Sequence, residues 1–155
     1  MYEYLLEECN SILEEQGLPP VEAEITTTTD MLSYTECNGI IYLGKAVRGL
    51  AAIGLWDLTR TVMHECLHML VDAYPPSSKQ KKPFGTRKEW AEEQSLTSYG
   101  NLYSMGHVTR YGMTHPEEDF VETGTVILME EDVPDTDEVA VKIKAVNGWF
   151  KSLSD

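Results

Sequence analysis

The chain has 155 residues, 42% of them hydrophobic and 25% charged, which is the size and composition of one ordinary folded domain spanning 1–155. A disordered or low-complexity class is excluded. With 26 acidic against 12 basic residues the net charge is −14, which repels phosphate backbones and anionic headgroups, so neither nucleic acid nor a membrane surface is an expected partner.

Leu5, Cys9, Ile12 and Leu13 recur at helical spacing and predict a packing helix over Tyr2 to Gln16, stopped by Gly17, Pro19 and Pro20. This first stretch is acidic and has no basic segment, unlike a secretory signal, and no apolar run in the chain approaches transmembrane length. The expected compartment is the cytoplasm. From Val21 to Leu43 the texture becomes Thr-rich and β-branched, predicting two or three short strands with a hairpin turn at Cys37-Asn38-Gly39.

A second helix is predicted from Asp57 to Tyr74, ended by Pro75 and Pro76. On its wheel Thr59, Val62, Met63, Cys66 and Leu70 share one side, while Arg60, Thr61, His64 and His68 share the other. The stretch PPSSKQKKPFGTRK reads as a solvated loop, with the basic rim Lys79 to Lys88. Lys88 to Tyr103 reads as a weaker helix. Another helix is expected from Pro116 to about Glu130, with Thr114 and Glu117 at capping-box spacing. After an acidic connector to Glu138, the spacing of Val139, Ile143, Val146, Phe150 and Leu153 predicts a C-terminal amphipathic helix. Trp56, Trp90 and Trp149 are expected to pack.

Cys9, Cys37 and Cys66 are odd in number and have no C-x-x-C spacing, which argues against a disulfide framework or a zinc knuckle. Cys66 falls on the apolar side of its helix and is expected in the core. Asp132, Asp135 and Asp137 lack the glycine and final glutamate of a calcium loop.

The segment His64-Glu65-Cys66-Leu67-His68 is H-E-x-x-H inside a stretch already read as helix. Four residues advance a helix by about 6 Å and little more than one turn, so both imidazoles face one side and suit two neighbouring positions on one metal ion. Glu65 lies on the same turn, offset from ligation but placed to accept a proton from an attacking water. A catalytic zinc needs a third protein ligand and a position for water. Val71 and Tyr74 stand where a metzincin would continue its motif with Gly and His, so the third ligand must come from elsewhere. The helix starting at Pro116 offers Glu117, Glu118 and Glu122. Glu118 and Glu122 share a face, so one can ligate while the other orients a histidine from behind.

The run Tyr111-Gly112-Met113-Thr114-His115-Pro116-Glu117-Glu118-Asp119-Phe120-Val121-Glu122 resembles the Y-G-x-T-N-x-x-E-x-F-A-E segment of the anthrax lethal factor catalytic domain. Similar segments occur in Pro-Pro endopeptidases and in a group of bacterial zinc metallopeptidases, all gluzincin-like zincins with an H-E-x-x-H helix upstream. The resemblance covers roughly Leu55 to Met129. Cys66 and Leu67, His115 and Val121 depart from the usual residues without removing a ligand.

The resemblance implies one Zn²⁺ per chain held by His64, His68 and Glu118, with Glu65 as general base, Tyr111 as oxyanion donor and Glu122 supporting the ligands. It implies an α+β zincin-like fold, a small sheet packed on the metal-binding helix, and a zinc-dependent endopeptidase acting on a peptide or protein. The substrate would lie extended along an edge strand near Ile40 to Leu43. His107 matches no ligand position, and His115 is read as a helix cap, with a contact to the metal ligands or to substrate as the alternative. The alternative function is an interaction or regulatory module that keeps the fold and the metal without turnover. Intact base, ligands and tyrosine favour the enzyme. Cleavage specificity and oligomeric state are not encoded in any of these motifs.

Overall fold

The computed structural model describes residues 1–85, 88, 90 and 106–154, and the chain forms two compact units, Met1–Pro75 and Pro76–Asp155. The helix expected over Lys88 to Tyr103 falls almost wholly outside the described residues. The elements combine helices with one small sheet, an α+β fold as expected. Among the described residues no helix is long and apolar enough to cross a membrane.

The first unit opens with α1, Glu3–Glu15, which buries Leu5, Cys9 and Leu13. Gly17 ends it with φ of 72°, donating to the Glu14 carbonyl while Leu18 donates to Leu13, the Schellman pattern that a residue without Cβ adopts most cheaply. Strands β1 (Glu24–Thr27), β2 (Tyr34–Thr35) and β3 (Ile40–Leu43) form a sheet in the order β1-β3-β2. The expected hairpin is present: β2 and β3 are antiparallel across a turn in which Cys37 and Gly39 have φ of 57° and 86°. Ile41 and Leu43 are buried on one face of β3, while Tyr34 stacks on Tyr42 at 4.6 Å.

The sheet corrects one expectation. Strand β1 pairs parallel with β3, so β3 is central with both edges taken, and Ile40 to Leu43 cannot receive a substrate strand. An added strand would have to pair with β1 or β2.

Helix α2, Lys45–Ala52, was not foreseen. It follows Gly44, where a Cβ would sit 2.5 Å from both the Leu32 carbonyl carbon and the Met31 oxygen, so only glycine lets the chain pass there. Helix α3, Leu58–Ala73, starts at Asp57, whose carboxylate accepts the Thr59 amide at 2.9 Å. It packs on α1 and touches β2 and β3. Glu8 accepts the Thr59 hydroxyl, and the Cys9 thiol donates to the Thr59 carbonyl. Cys66 is fully buried as expected, and none of the three cysteines is in a disulfide. Trp56 is 38% exposed rather than packed, with its indole N–H on the Thr61 hydroxyl.

In the second unit the expected basic loop contains structure. Helix α4, Ser78–Lys81, is closed by a reciprocal Ser77–Gln80 capping box and followed by a 3-10 turn at Lys82–Phe84. A further 3-10 turn, Tyr111–Met113, leads into α5, Pro116–Leu128, and the C-terminal helix α6 spans Asp137–Leu153. Phe120 on α5 makes edge-to-face contacts with Phe84, Trp90 and Trp149 at 5.0–5.5 Å, the aromatic centre of this unit. Val108, Val126 and Val139 form a smaller apolar cluster with Val133 and Ile143 against it.

The cap of α5 differs from the expected pair. His115 occupies the cap position, its Nδ1 accepting the Glu117 amide at 3.0 Å, while the Thr114 hydroxyl turns back to the Tyr111 carbonyl. Of the two roles considered for His115, the structure shows the capping one.

Candidate metal centre

Helix α3 is fully exposed only in its last turn, at Asp72 and Ala73. Beside its apolar residues it buries Thr61, His64 and Glu65, with His68 half-buried, so the face on which sequence periodicity groups the histidines is largely inaccessible to water. The His64 and His68 rings lie with centroids 4.9 Å apart and planes at 67°, one turn apart on one side of the helix. Glu65 Oε1 is 3.9 Å from His64 Nε2, and both side chains are less than a tenth exposed. Burying an ionisable cluster of this kind is costly unless its members are paired or bind a metal, which makes the arrangement a poor accident of packing. Behind the helix, the Cys37 thiol donates to the His68 carbonyl at 3.6 Å, tying the β2–β3 turn to the motif. The Cys66 thiol faces Cys9, whose hydrogen bond together with burial pushes its pKa well up, leaving it a neutral core group.

In the second unit, Glu118 is half-buried on the first turn of α5 and Tyr111 is 43% exposed on the preceding 3-10 turn. Glu122, one turn further along α5, is buried, and its Oε1 accepts the Thr109 hydroxyl at 2.8 Å. That same hydroxyl oxygen accepts the Gly112 amide at 3.1 Å. Thr109 thus pins the turn carrying Tyr111 to the helix carrying Glu118 and Glu122. A Cβ at residue 112 would lie 2.9 Å from Asp119 Oδ1 and 3.2 Å from its Cα, so the glycine after Tyr111 is what lets the turn seat on α5.

Beneath the turn, Asp119 Oδ2 accepts the Lys142 ammonium at 2.5 Å and faces His107 Nδ1 at 3.1 Å. Lys142 also donates to the Gly106 carbonyl. This cluster gives His107 a partner on α5. Sequence reasoning missed Thr109, Asp119 and Lys142. Lys142 left one signal: it lies three residues after Val139 and four before Val146, within the apolar stripe of α6.

The imidazole nitrogens of His64 and His68 and the carboxylate oxygen of Glu118 are donor types that zinc takes. The edge-to-face approach of the two imidazoles on one helix face fits such an ion.

Residues 45–147, more than half of the chain and including both motifs, match the model of a family described as "putative zinc-binding metallo-peptidase". The chain belongs to this family. Neither a curated protein nor a solved structure gives a match. Membership supports a zinc metallopeptidase in general terms.

Proposed function

We propose that this family member is a gluzincin-like zinc endopeptidase, related in plan to the lethal factor catalytic domain. Its ligands are His64, His68 and Glu118, its general base is Glu65, and it acts as one catalytic domain on peptide or protein substrates. The observation that carries the proposal is the pair of imidazoles 4.9 Å apart on one face of α3, His64 buried and His68 half-buried, with the buried Glu65 carboxylate on the same turn.

Zinc, when bound, supplies Lewis acidity toward a peptide carbonyl and brings the pKa of a water in its open position to near 7. The residues of the chain do the rest. Glu65, buried beside His64, accepts the proton of the attacking water and delivers it to the departing amine. Tyr111, exposed on its turn, donates its phenol proton to the carbonyl oxygen as that oxygen becomes negative. Glu122 orients a ligating imidazole by accepting its second ring N–H, while Thr109 holds Oε1 of the same carboxylate.

The discriminating experiment is Glu65→Gln in the zinc-loaded protein. It is expected to keep the metal and lose peptide hydrolysis. Full activity in that variant would refute the role of Glu65, and zinc binding without hydrolysis of any peptide by the unaltered protein would favour the interaction module.

A further inference from the structure

Six large apolar side chains of the first unit, Met31, Leu32, Leu50, Ile53, Leu55 and Trp56, are each 38–69% exposed. The backbone gathers them about one short helix. The Lys45 and Ala46 amides donate to the Asp30 and Met31 carbonyls at 2.9 and 3.1 Å, which holds Met31 and Leu32 at the first turn of α2. Leu50, Ile53, Leu55 and Trp56 lie at and just beyond its last turn, and a helix of this length spans only about 12 Å.

Helix α2 is poorly supported from within the chain. It has eight residues, carries Gly49 inside and buries none of its side chains, whereas a helix this short depends on tertiary packing of an apolar face. Ala46, Val47, Leu50 and Ala51 recur at helical spacing and supply such a face. The six open side chains together expose on the order of 600 Å², the upper end of what a monomer leaves as one apolar patch and close to the roughly 800 Å² that each partner of a stable complex buries.

Charge selects the occupant. From Asp30 to Arg60 three acids, Asp30, Glu36 and Asp57, are balanced by three bases, Lys45, Arg48 and Arg60, so the net charge of −14 lies wholly on the rest of the chain. Two copies approaching through that acidic remainder repel each other, while this neutral region meets its twin without conflict of like charge. A basic partner is drawn to the acidic remainder instead, and an anionic lipid surface is opposed by it.

We propose that this region is the interface of a two-fold homodimer, in which the α2 patch of one protomer packs on the same patch of a second copy and completes the burial of the helix. The inference does not depend on the peptidase reading.

The test is sedimentation equilibrium of the whole, zinc-loaded chain. It should show a monomer–dimer equilibrium with Kd of about 1–100 µM, suited to a small apolar interface, and the dimer fraction should rise from about 0.05 to about 0.5 M NaCl as salt screens the acidic remainders. Leu55→Glu sets a charge against its twin at an already exposed position, so it should weaken the dimer at least tenfold with an unchanged circular dichroism spectrum. Val141→Glu, on an exposed apolar residue of α6, is the control and should leave Kd within about twofold. A monomer up to about 500 µM would overturn the proposal and leave the patch to a different protein or to another segment of this chain. A dimer that Leu55→Glu leaves intact, one that salt weakens, or an open-ended polymer would overturn it equally.

Amide hydrogen exchange of the unaltered protein locates the contact without any variant. Exchange across residues 50–56 should slow at least tenfold between dilute and concentrated samples, and unchanged rates there in a protein that dimerises would place the interface elsewhere.

Discussion

Helix α3 buries His64 and Glu65 side by side in the sequence, whereas α5 buries Asp119 and Glu122 against Lys142 and Thr109, partners 23 and 13 positions away. Both helices carry polar groups into places water scarcely reaches, and they differ in where those groups find support. In α3 the polar groups are contiguous: one pentapeptide supplies two imidazoles and a carboxylate. In α5 the candidate ligand Glu118 stands on a helix whose seating depends on a lysine from α6 and a threonine from the segment before the Tyr111 turn. The first region should therefore tolerate conservative changes in its polar groups as a fold while losing chemistry. The second should lose stability when a distant partner is removed.

The largest expected effect separates the two regions. Glu65→Gln should lower peptide hydrolysis by about 10²–10⁴-fold, the usual worth of a positioned general base, with a folded circular dichroism spectrum retained. Unfolding of this variant would erase the contrast. Lys142→Met should instead act on stability, because it leaves Asp119 charged and buried; breaking such a pair costs about 3–5 kcal/mol. For a chain of this size that lowers Tm by roughly 6–20 °C in calorimetry. Adding Asp119→Leu should recover much of the loss, since an apolar replacement removes the unpaired charge. A Tm within about 2 °C of the unaltered protein for Lys142→Met would show that the pair contributes little.

Thr109→Val keeps shape and removes the hydroxyl that joins Glu122 to Gly112. Urea denaturation should show a loss of about 1–3 kcal/mol, the price of leaving buried groups unsatisfied. An unchanged midpoint would remove Thr109 from the account.

The smallest effect belongs to α3. The Cys66 thiol is held protonated in the fold, first by its hydrogen bond with Cys9 and then by burial, while in the unfolded chain it ionises near the ordinary value of 9.0. Its contribution is thus intact below that value and is lost as pH rises above it, because the unfolded chain then releases a proton that the native one keeps. Stability should fall by about 1 kcal/mol per pH unit there, and Cys66→Ala should flatten that slope. A slope unaffected by the substitution would assign the alkaline loss to other groups.

The contrast also explains what was legible in the sequence. Helix α3 could be read because Asp57 caps it, its apolar residues repeat at helical spacing and prolines end it. Helix α5 could be read from Pro116 in its first turn. Its true cap, His115, displaced the Thr114 and Glu117 pair because the Tyr111–Met113 turn draws the Thr114 hydroxyl back to the Tyr111 carbonyl. The Asn38-Gly39 turn announces that β2 and β3 pair, but nothing local tells that β1 occupies the other side of β3, so a central strand resembled an edge. Helix α2 went unseen because it spans only eight residues with Gly49 inside it, although Ala46, Val47, Leu50 and Ala51 recur at helical spacing. The partnerships of Lys142 with Asp119 and of Thr109 with Glu122 are tertiary, and no periodicity announces them.

The most direct test of the central claim is the zinc content of protein purified without a chelating resin, measured for the unaltered chain and for Glu118→Ala. The account predicts about one zinc per chain for the first and loss of that zinc for the second, since two imidazoles alone make an incomplete site. Full zinc occupancy in Glu118→Ala, at the affinity of the unaltered chain, would contradict the proposed ligand set.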